Sequence, residues 1–149
     1  MSKDDFDHLL PLAVDDVLET MFFSESFGPC QPDPALEELE AEVSFTGETS
    51  GTVGVRISKD AASSFAASFL GESEDTLNEI QVGHVVCELT NMLCGCIVSK
   101  MPARVCFSLG SPGLLGGKAS NSNGIVQVQQ SFAIERGTLT ISMSSSESA

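Results

Sequence analysis

The apolar positions along the chain repeat first with the period of a helix and then with the period of a strand. From Phe6 to about Phe23, apolar side chains recur every three or four residues, which predicts an amphipathic helix. Pro11 lies within this segment, and because proline lacks a backbone N–H we expect the helix to begin or to kink there. Gly28 and the prolines of residues 28–35 then predict the end of the helix and a linker.

Alternation of apolar with polar or small residues follows the linker. Residues 39–46 and 52–58 carry this pattern, and the glycine-containing segment 47–51 between them predicts a hairpin loop. The remaining predicted elements are helices over residues 60–70 and 75–100, strands over 103–109, 124–135 and 138–143, a loop over 110–124 and a frayed tail over 144–149.

The predicted strands occur in hairpins and do not alternate with helices. This order indicates an α+β fold, in which helices pack on one face of an antiparallel sheet. A length of 149 residues fits one domain over residues 1–149, with an ordered core over about 9–143.

The longest predicted helix has one broad apolar side. At about 100° per residue, a set of apolar side chains falls within about 80° of Leu89, and we expect this stripe to be buried. The members of the stripe, besides Leu89, are Val82, Val85, Val86, Met92, Leu93, Cys96 and Ile97.

The opposite side of the same helix carries a narrow band of His84, Glu88, Asn91 and Gly95. Glu88 and Asn91 are three residues apart, so their side chains are neighbours on the helix surface. Gly95 costs about 1 kcal/mol relative to alanine inside a helix, which is tolerable where a partner must approach the backbone closely. The alternative is a solvated helix face with an incidental glycine, because a Glu and an Asn at this spacing also occur by chance.

The charge of the chain is concentrated in its first third. The net charge is −14, and residues 1–48 contain 13 of the 21 Asp and Glu residues but one of the seven Lys and Arg residues. This argues against binding to nucleic acid or to an anionic membrane, and it permits a partner with a cationic site. The acidic N-terminus does not resemble a secretory signal and no apolar run approaches the length of a membrane span, so we expect a cytoplasmic protein.

Three other chemical sites are disfavoured. The five cysteines form no CxxC pair, so we expect reduced thiols and no zinc site; they are Cys30, Cys87, Cys94, Cys96 and Cys106. Cys87 follows His84 by three residues, but the two lie about 60° apart on the helix, so we expect packing and not cysteine catalysis. Gly117 and Lys118 lack the other residues of a phosphate-binding loop.

The segment from Glu88 to Gly95 (ELTNMLCG) resembles the signature of the CheC/CheX family of chemotaxis phosphatases, and Val14–Met21 in the first helix resembles that family too. The order of elements is similar as well, over roughly residues 9–143. Because the chain has one ExxN motif, it is more similar to the single-site CheX type than to CheC-like members, which often have two. The family pattern often has Asp or Ser where this chain has His84.

The resemblance implies a phosphatase that hydrolyses the phospho-aspartate of a CheY-like response regulator. It implies that Asn91 orients the attacking water and that Glu88 pairs with the regulator's lysine, with His84 and Gly95 at the same partner-binding surface. It also implies a homodimer, no metal or cofactor of its own, and Mg²⁺ carried by the regulator. Two alternatives remain: a non-catalytic adaptor that binds a regulator or another signalling protein, and a dimeric structural domain.

Overall fold

A six-stranded antiparallel sheet with helices on one face organises the part of the chain that the structure describes. The computed structural model describes residues 3–47, 49–100, 108–110, 113–114 and 126–147. The helices are α1 (Lys3–Met21), α2 (Lys59–Leu70) and α3 (Glu79–Lys100), with a 3₁₀ turn at Glu74–Thr76; the strands are β1 (Glu38–Thr46), β2 (Thr49–Ser58), β3 (Ser108–Leu109), β4 (Gly113–Leu114), β5 (Val126–Ile134) and β6 (Gly137–Glu147). The strand order is β3–β1–β2–β6–β5, and β4 also pairs with the outer edge of β1. The predicted α+β architecture is confirmed.

Every second side chain of the four long strands lies on the sheet face that the helices cover. Val43 of β1 pairs with Val53 of β2, and Val53 pairs with Met143 of β6, so three buried side chains lie side by side on one face. Since side chains alternate between the two faces of a strand, each strand sends every second residue to this face. The helices cover it with buried residues such as Leu10 and Leu89.

Helix α1 begins before Pro11 and continues through it, so the prediction that the helix begins at the proline is wrong. Proline cannot donate to the carbonyl four residues earlier, which belongs to Asp7. The side chain of Gln130 in β5 replaces that donor, because its Nε2 lies 2.8 Å from the Asp7 carbonyl oxygen. A hydrogen bond across the tertiary fold therefore lets the helix pass its proline.

Two predicted boundaries move because strand pairing and helix capping depend on residues outside the local pattern. Strand β2 begins at Thr49, so Gly51 lies inside the strand and not in the hairpin loop. Helix α3 begins at Glu79 and not near residue 75, after Asn78 and Gln81 have exchanged hydrogen bonds of 2.8 and 2.9 Å between side chains and backbone N–H groups. This reciprocal pair satisfies two of the free N–H groups of the helix start.

The C-terminal part departs furthest from the sequence pattern. Strand β6 continues to Glu147 in register with β2, where the sequence predicted fraying from residue 144. Strand β4 lies within the predicted loop 110–124, and most of that loop, with Pro112, lies outside the described residues. Of the predicted strand 103–109, only Ser108–Leu109 is described.

Helix α3 has the length and apolar composition of a membrane span, alone among the helices that the structure describes. It is nevertheless not a continuous apolar run, because polar residues such as His84, Glu88 and Asn91 interrupt it. The apolar side of α3 packs against β1, β2, α1 and α2. A core helix covered on several sides reaches the same composition, because it needs apolar residues around most of its circumference.

The outer edge of β5 is partly covered by the linker after α1. Phe27 and Cys30 donate backbone hydrogen bonds to the carbonyls of Ala133 and Ser131, at 2.8 and 2.9 Å. Pro29 forms an isolated bridge to Phe132. The linker therefore shields one half of β5, which is the last strand of the sheet in the part of the chain that the structure describes.

Candidate functional site on α3

Packing on several sides fixes the rotation of α3 about its own axis. Six members of the predicted apolar stripe are buried, while Met92 and Cys96 are half-buried at its border; the buried members besides Leu89 are Val82, Val85, Val86, Leu93 and Ile97. Gly83, Thr90 and Cys94 are buried as well, and α1, α2 and β4 all pack against this helix. The buried surface is therefore wider than the stripe that periodicity predicts.

The outward side of α3 carries the four residues that the sequence singled out, which we call the outer band: His84, Glu88, Asn91 and Gly95. His84 and Glu88 are exposed, and Asn91 and Gly95 are half-buried. His84 and Glu88 therefore lie outside the core, whereas Asn91 and Gly95 lie at its border.

The functional groups of the outer band are free of hydrogen bonds to the described part of the protein. Hydrogen bonds on the same helix are made by its neighbours instead, such as Thr90, whose hydroxyl donates to the Val86 carbonyl at 2.8 Å. Since Glu88 and Asn91 are three residues apart, their Cβ atoms are separated by about 5–6 Å on the helix surface. A carboxylate and an amide of this spacing can contact the same small group of a partner.

Cys87 does not offer a reactive thiolate beside this band. Burial, and to a lesser extent the neighbouring Glu88 carboxylate, raises the pKa of the Cys87 thiol above its ordinary value. A thiol with a raised pKa is a poor nucleophile near neutral pH, because the thiolate is the reactive form. The chemistry of this surface therefore lies with Glu88, Asn91 and the exposed imidazole of His84.

A polar contact that the sequence analysis did not find joins the ends of α1 and α3. Lys100 Nζ lies 2.9 Å from Asp16 Oδ2, and the Cys96 thiol donates to the same oxygen at 3.9 Å. The hydrogen bond with Asp16 is the main reason that the pKa of Lys100 is raised. Asp16 and Lys100 are far apart in sequence, so the periodicity of either helix cannot predict that they form an ion pair.

A second missed feature is the close approach of β4 to the start of α3. A Cβ atom on buried Gly83 would lie 2.7 Å from Cδ1 of Leu114. Gly83 and Leu114 also line a groove of about 390 Å³ together with Leu77 and Val82. The sequence pattern drew attention to Gly95 and gave no sign that Gly83 accommodates a neighbouring element.

The described residues contain no group of three or more His, Cys, Asp and Glu side chains arranged to hold a metal ion. Four cysteines in this part are free thiols: Cys30, Cys87, Cys94 and Cys96. Cys106 and the Gly117–Lys118 pair lie outside the described residues.

Comparison with known proteins identifies the family. A model of the family described as "Chemotaxis phosphatase CheX" matches residues 40–135, which include the whole outer band. The chain belongs to the CheX family. No curated protein sequence matches the chain significantly.

Solved structures of similar fold cover nearly the whole chain. The chemotaxis protein CheX from Vibrio vulnificus aligns with a TM-score of 0.77 and 22% identity over 97% of this chain and 99% of that one. A CheX–CheY–BeF₃–Mg²⁺ complex from Borrelia burgdorferi gives 0.76 and 17% over 96% and 99%. A CheC-like superfamily protein from Shewanella sp. PV-4 gives 0.72 and 23% over 95% and 97%. At these identities the likeness concerns the fold.

Proposed function

We propose that this protein is a phosphatase that hydrolyses the phospho-aspartate of a CheY-like response regulator, with Glu88 and Asn91 as the residues that act. The observation that carries the proposal is the presence of both groups, one turn apart and without hydrogen-bond partners among the described residues, on the outward side of a helix locked into the core. Membership of the CheX family and the CheY-bound Borrelia relative support the choice of partner.

Asn91 has the properties required to position the attacking water. Its amide oxygen accepts a hydrogen bond from water, and because the amide is neutral it does not repel the negatively charged phosphoryl group. In hydrolysis the water oxygen bonds to phosphorus while the bond from phosphorus to the aspartyl oxygen breaks. The aspartate leaves with the electron pair, and the water proton passes to a phosphate oxygen. Phosphoryl transfer depends mainly on positioning and charge neutralisation.

Glu88 has the properties required to hold the two proteins in register. Its exposed carboxylate is a natural partner for the ammonium group of the regulator's active-site lysine, and charge-assisted hydrogen bonds are stronger than neutral ones. His84 lies one turn before Glu88 and Gly95 one turn after Asn91, so both border the same contact surface. The small size of Gly95 lets a partner approach the helix backbone.

The proposed reaction uses no cofactor of this protein. The regulator would carry Mg²⁺ in its own phosphorylation site, and the Borrelia complex contains CheY together with Mg²⁺ and BeF₃. The metal would neutralise phosphoryl charge there, leaving Asn91 to orient water and Glu88 to dock.

The test follows phosphate release from a phosphorylated CheY-like receiver domain with Mg²⁺, with and without this protein. We expect acceleration by the wild type and a loss of about 100-fold for Asn91→Ala, since misplacement of a reacting group costs on that order. Glu88→Ala should raise KM by about tenfold, because it removes a charge-assisted contact used in binding. Glu79→Ala, which removes an exposed acid from the first turn of the same helix, is the matched control and should leave both constants unchanged.

Each failure of this test has its own meaning. If the wild type does not accelerate phosphate loss from any receiver of the same organism yet binds the BeF₃-activated receiver through Glu88, the protein is an adaptor. His84, in the position where the family often has Asp or Ser, is the feature of this chain that favours that alternative. If Asn91→Ala is as active as the wild type, the assigned role of Asn91 is wrong.

We also propose that the protein is a cytoplasmic homodimer that associates through its sheet. The half of β5 that the linker leaves uncovered has no strand partner among the described residues, so its backbone groups could pair with a second copy. Sedimentation of the full chain at micromolar concentration measures this directly, and a monomer throughout would contradict it.

A further inference from the structure

A groove of about 590 Å³ lies at the C-terminal end of α1, away from the outer band. It is bounded by the last turns of α1, by the segment that leads from α1 into the linker, and by the turn between β5 and β6. We call it the α1-end groove, and its relevant residues are Asp15, Glu19, Phe23, Glu25, Phe27 and Glu135.

Two aromatic rings of this groove face solvent. Phe23 is 84% exposed and Phe27 is 63% exposed, the highest and third-highest values among the large apolar residues identified as exposed. An exposed apolar patch with a polar rim is typical of a surface that binds another molecule. Neither ring contributes to the core, so their presence here is not explained by folding.

The backbone at Phe23 is held in a conformation that does not suit phenylalanine. Its φ is +51°, in the left-handed region, and the chain reverses around it through a 3.0 Å hydrogen bond from the Ser24 N–H to the Leu18 carbonyl. Glycine is the usual residue directly after a helix in this conformation, and a bulky side chain there costs free energy. Strain of this kind tends to occur at functional sites. Phe23 therefore destabilises the folded protein in two ways, through its left-handed backbone and through its solvent-exposed ring. Glycine at this position would avoid both.

The rim of the groove is strongly negative. Asp15, Glu19, Glu25 and Glu135 all face it, and no Lys or Arg among the described side chains lies within ion-pair distance of them. Arg136, next to Glu135, forms its ion pair with Glu74 at 2.6 Å and also interacts electrostatically with Glu135, so the other three carboxylates carry most of the unbalanced charge. All of its lining residues except Glu135 belong to the acidic first third of the chain, so the surrounding field reinforces the local charge.

We propose that the α1-end groove binds a basic segment of a partner protein, with an apolar side chain seated between Phe23 and Phe27 and Lys or Arg side chains against the four carboxylates. Cations bind well over aromatic faces, so the rings contribute to both parts of the contact. A second copy of this chain is disfavoured as the occupant, because a symmetric contact would bring like-charged rims together. Anionic lipid and nucleic acid are disfavoured by the same repulsion. The proposal does not depend on the phosphatase function.

The test uses the full chain and a fluorescent peptide of about 12 residues in which Lys and Leu alternate, at about 50 and 500 mM NaCl, where screening differs strongly. Matched peptides of Lys with Ser and of Glu with Leu separate the contribution of charge from that of apolar contact. We expect the Lys–Leu peptide to bind with the highest affinity and to weaken at high salt. The Lys–Ser peptide should bind several-fold more weakly, and the Glu–Leu peptide should not bind.

Phe23→Gly is the decisive variant, because it should weaken the Lys–Leu peptide by about fivefold or more while leaving the melting temperature unchanged or raising it. The matched control is Ile80→Ser, which removes an apolar side chain that is 71% exposed outside the groove and should not change binding. Equal affinity of Phe23→Gly and the wild type would overturn the proposal, since binding would then be general attraction to an acidic chain. A concentration-dependent dimer that Phe23→Gly abolishes would overturn it in favour of self-association.

Discussion

The hydrogen bond from Gln130 to the Asp7 carbonyl explains how α1 tolerates Pro11, and it leads to a quantitative prediction. Gln130→Ala removes the 2.8 Å bond to that carbonyl and a 3.3 Å contact with Asp7 Oδ1. The carbonyl has already lost its helical donor to the proline, so the variant leaves it unsatisfied against β5. An unsatisfied group in a protein interior costs about 1–3 kcal/mol, and because Asp7 and Gln130 are half-buried we expect about 1–2 kcal/mol.

The measurement is the free energy of unfolding in urea, with the melting temperature as a second readout. A loss of about 1–2 kcal/mol corresponds to a fall of roughly 2–8 °C in a protein of this size. The control is Gln129→Ala, which truncates the neighbouring exposed glutamine on the opposite face of β5 and should change stability by less than about 0.5 kcal/mol.

A double-mutant cycle tests the cause. Pro11→Ala restores a backbone N–H that can donate to the Asp7 carbonyl, so in that background Gln130→Ala should cost at least about 0.5 kcal/mol less. If Gln130→Ala costs the same with alanine as with proline at position 11, the two residues do not share this carbonyl and the explanation is wrong.

Three further predictions concern the core. Gly51→Ala should destabilise the protein by about 1–3 kcal/mol in urea unfolding, because the added methyl group meets the Phe45 ring and the β6 backbone; wild-type stability would contradict this packing. Phe22→Ala should cost about 3–5 kcal/mol, because this buried ring stacks at 5.2 Å on Phe65, and a calorimetric loss below 1 kcal/mol would refute it. Burial raises the pKa of the Cys94 thiol from 9.0 to about 12. The stability that the buried, protonated thiol contributes should therefore be fully present below pH 9 and be lost as the pH rises towards 12. Alkylation of Cys94 at neutral pH should require unfolding, as mass spectrometry can show.

Much of the fold is readable from the sequence, because the period of apolar residues reflects the geometry of the backbone itself. The 3.6-residue period of α3 identified both its buried stripe and the outward position of Glu88 and Asn91. The alternation around Val43 and Val53 likewise identified a hairpin and the face that it turns to the core.

Boundaries were less predictable, since they depend on partners that are distant in sequence. Gly51 looks like a loop residue until its pairing with Phe45 is known, and Ser144 looks like the start of a frayed tail until β2 is seen beside it. Polar residues do not show by their type whether they are buried. A serine-rich strand such as the end of β6 can therefore be recognised only from its backbone pairing with β2.

By itself, then, the sequence determined the α+β class, the placement of the candidate site on one side of a core helix, and the concentration of negative charge in the first third. Only the tertiary structure decided the contacts between distant segments. These include the Gln130 side chain that compensates for Pro11, and the turn that brings Glu135 to the exposed ring of Phe23. The physical reason is that periodicity follows from local backbone geometry, whereas such meetings depend on how whole elements pack.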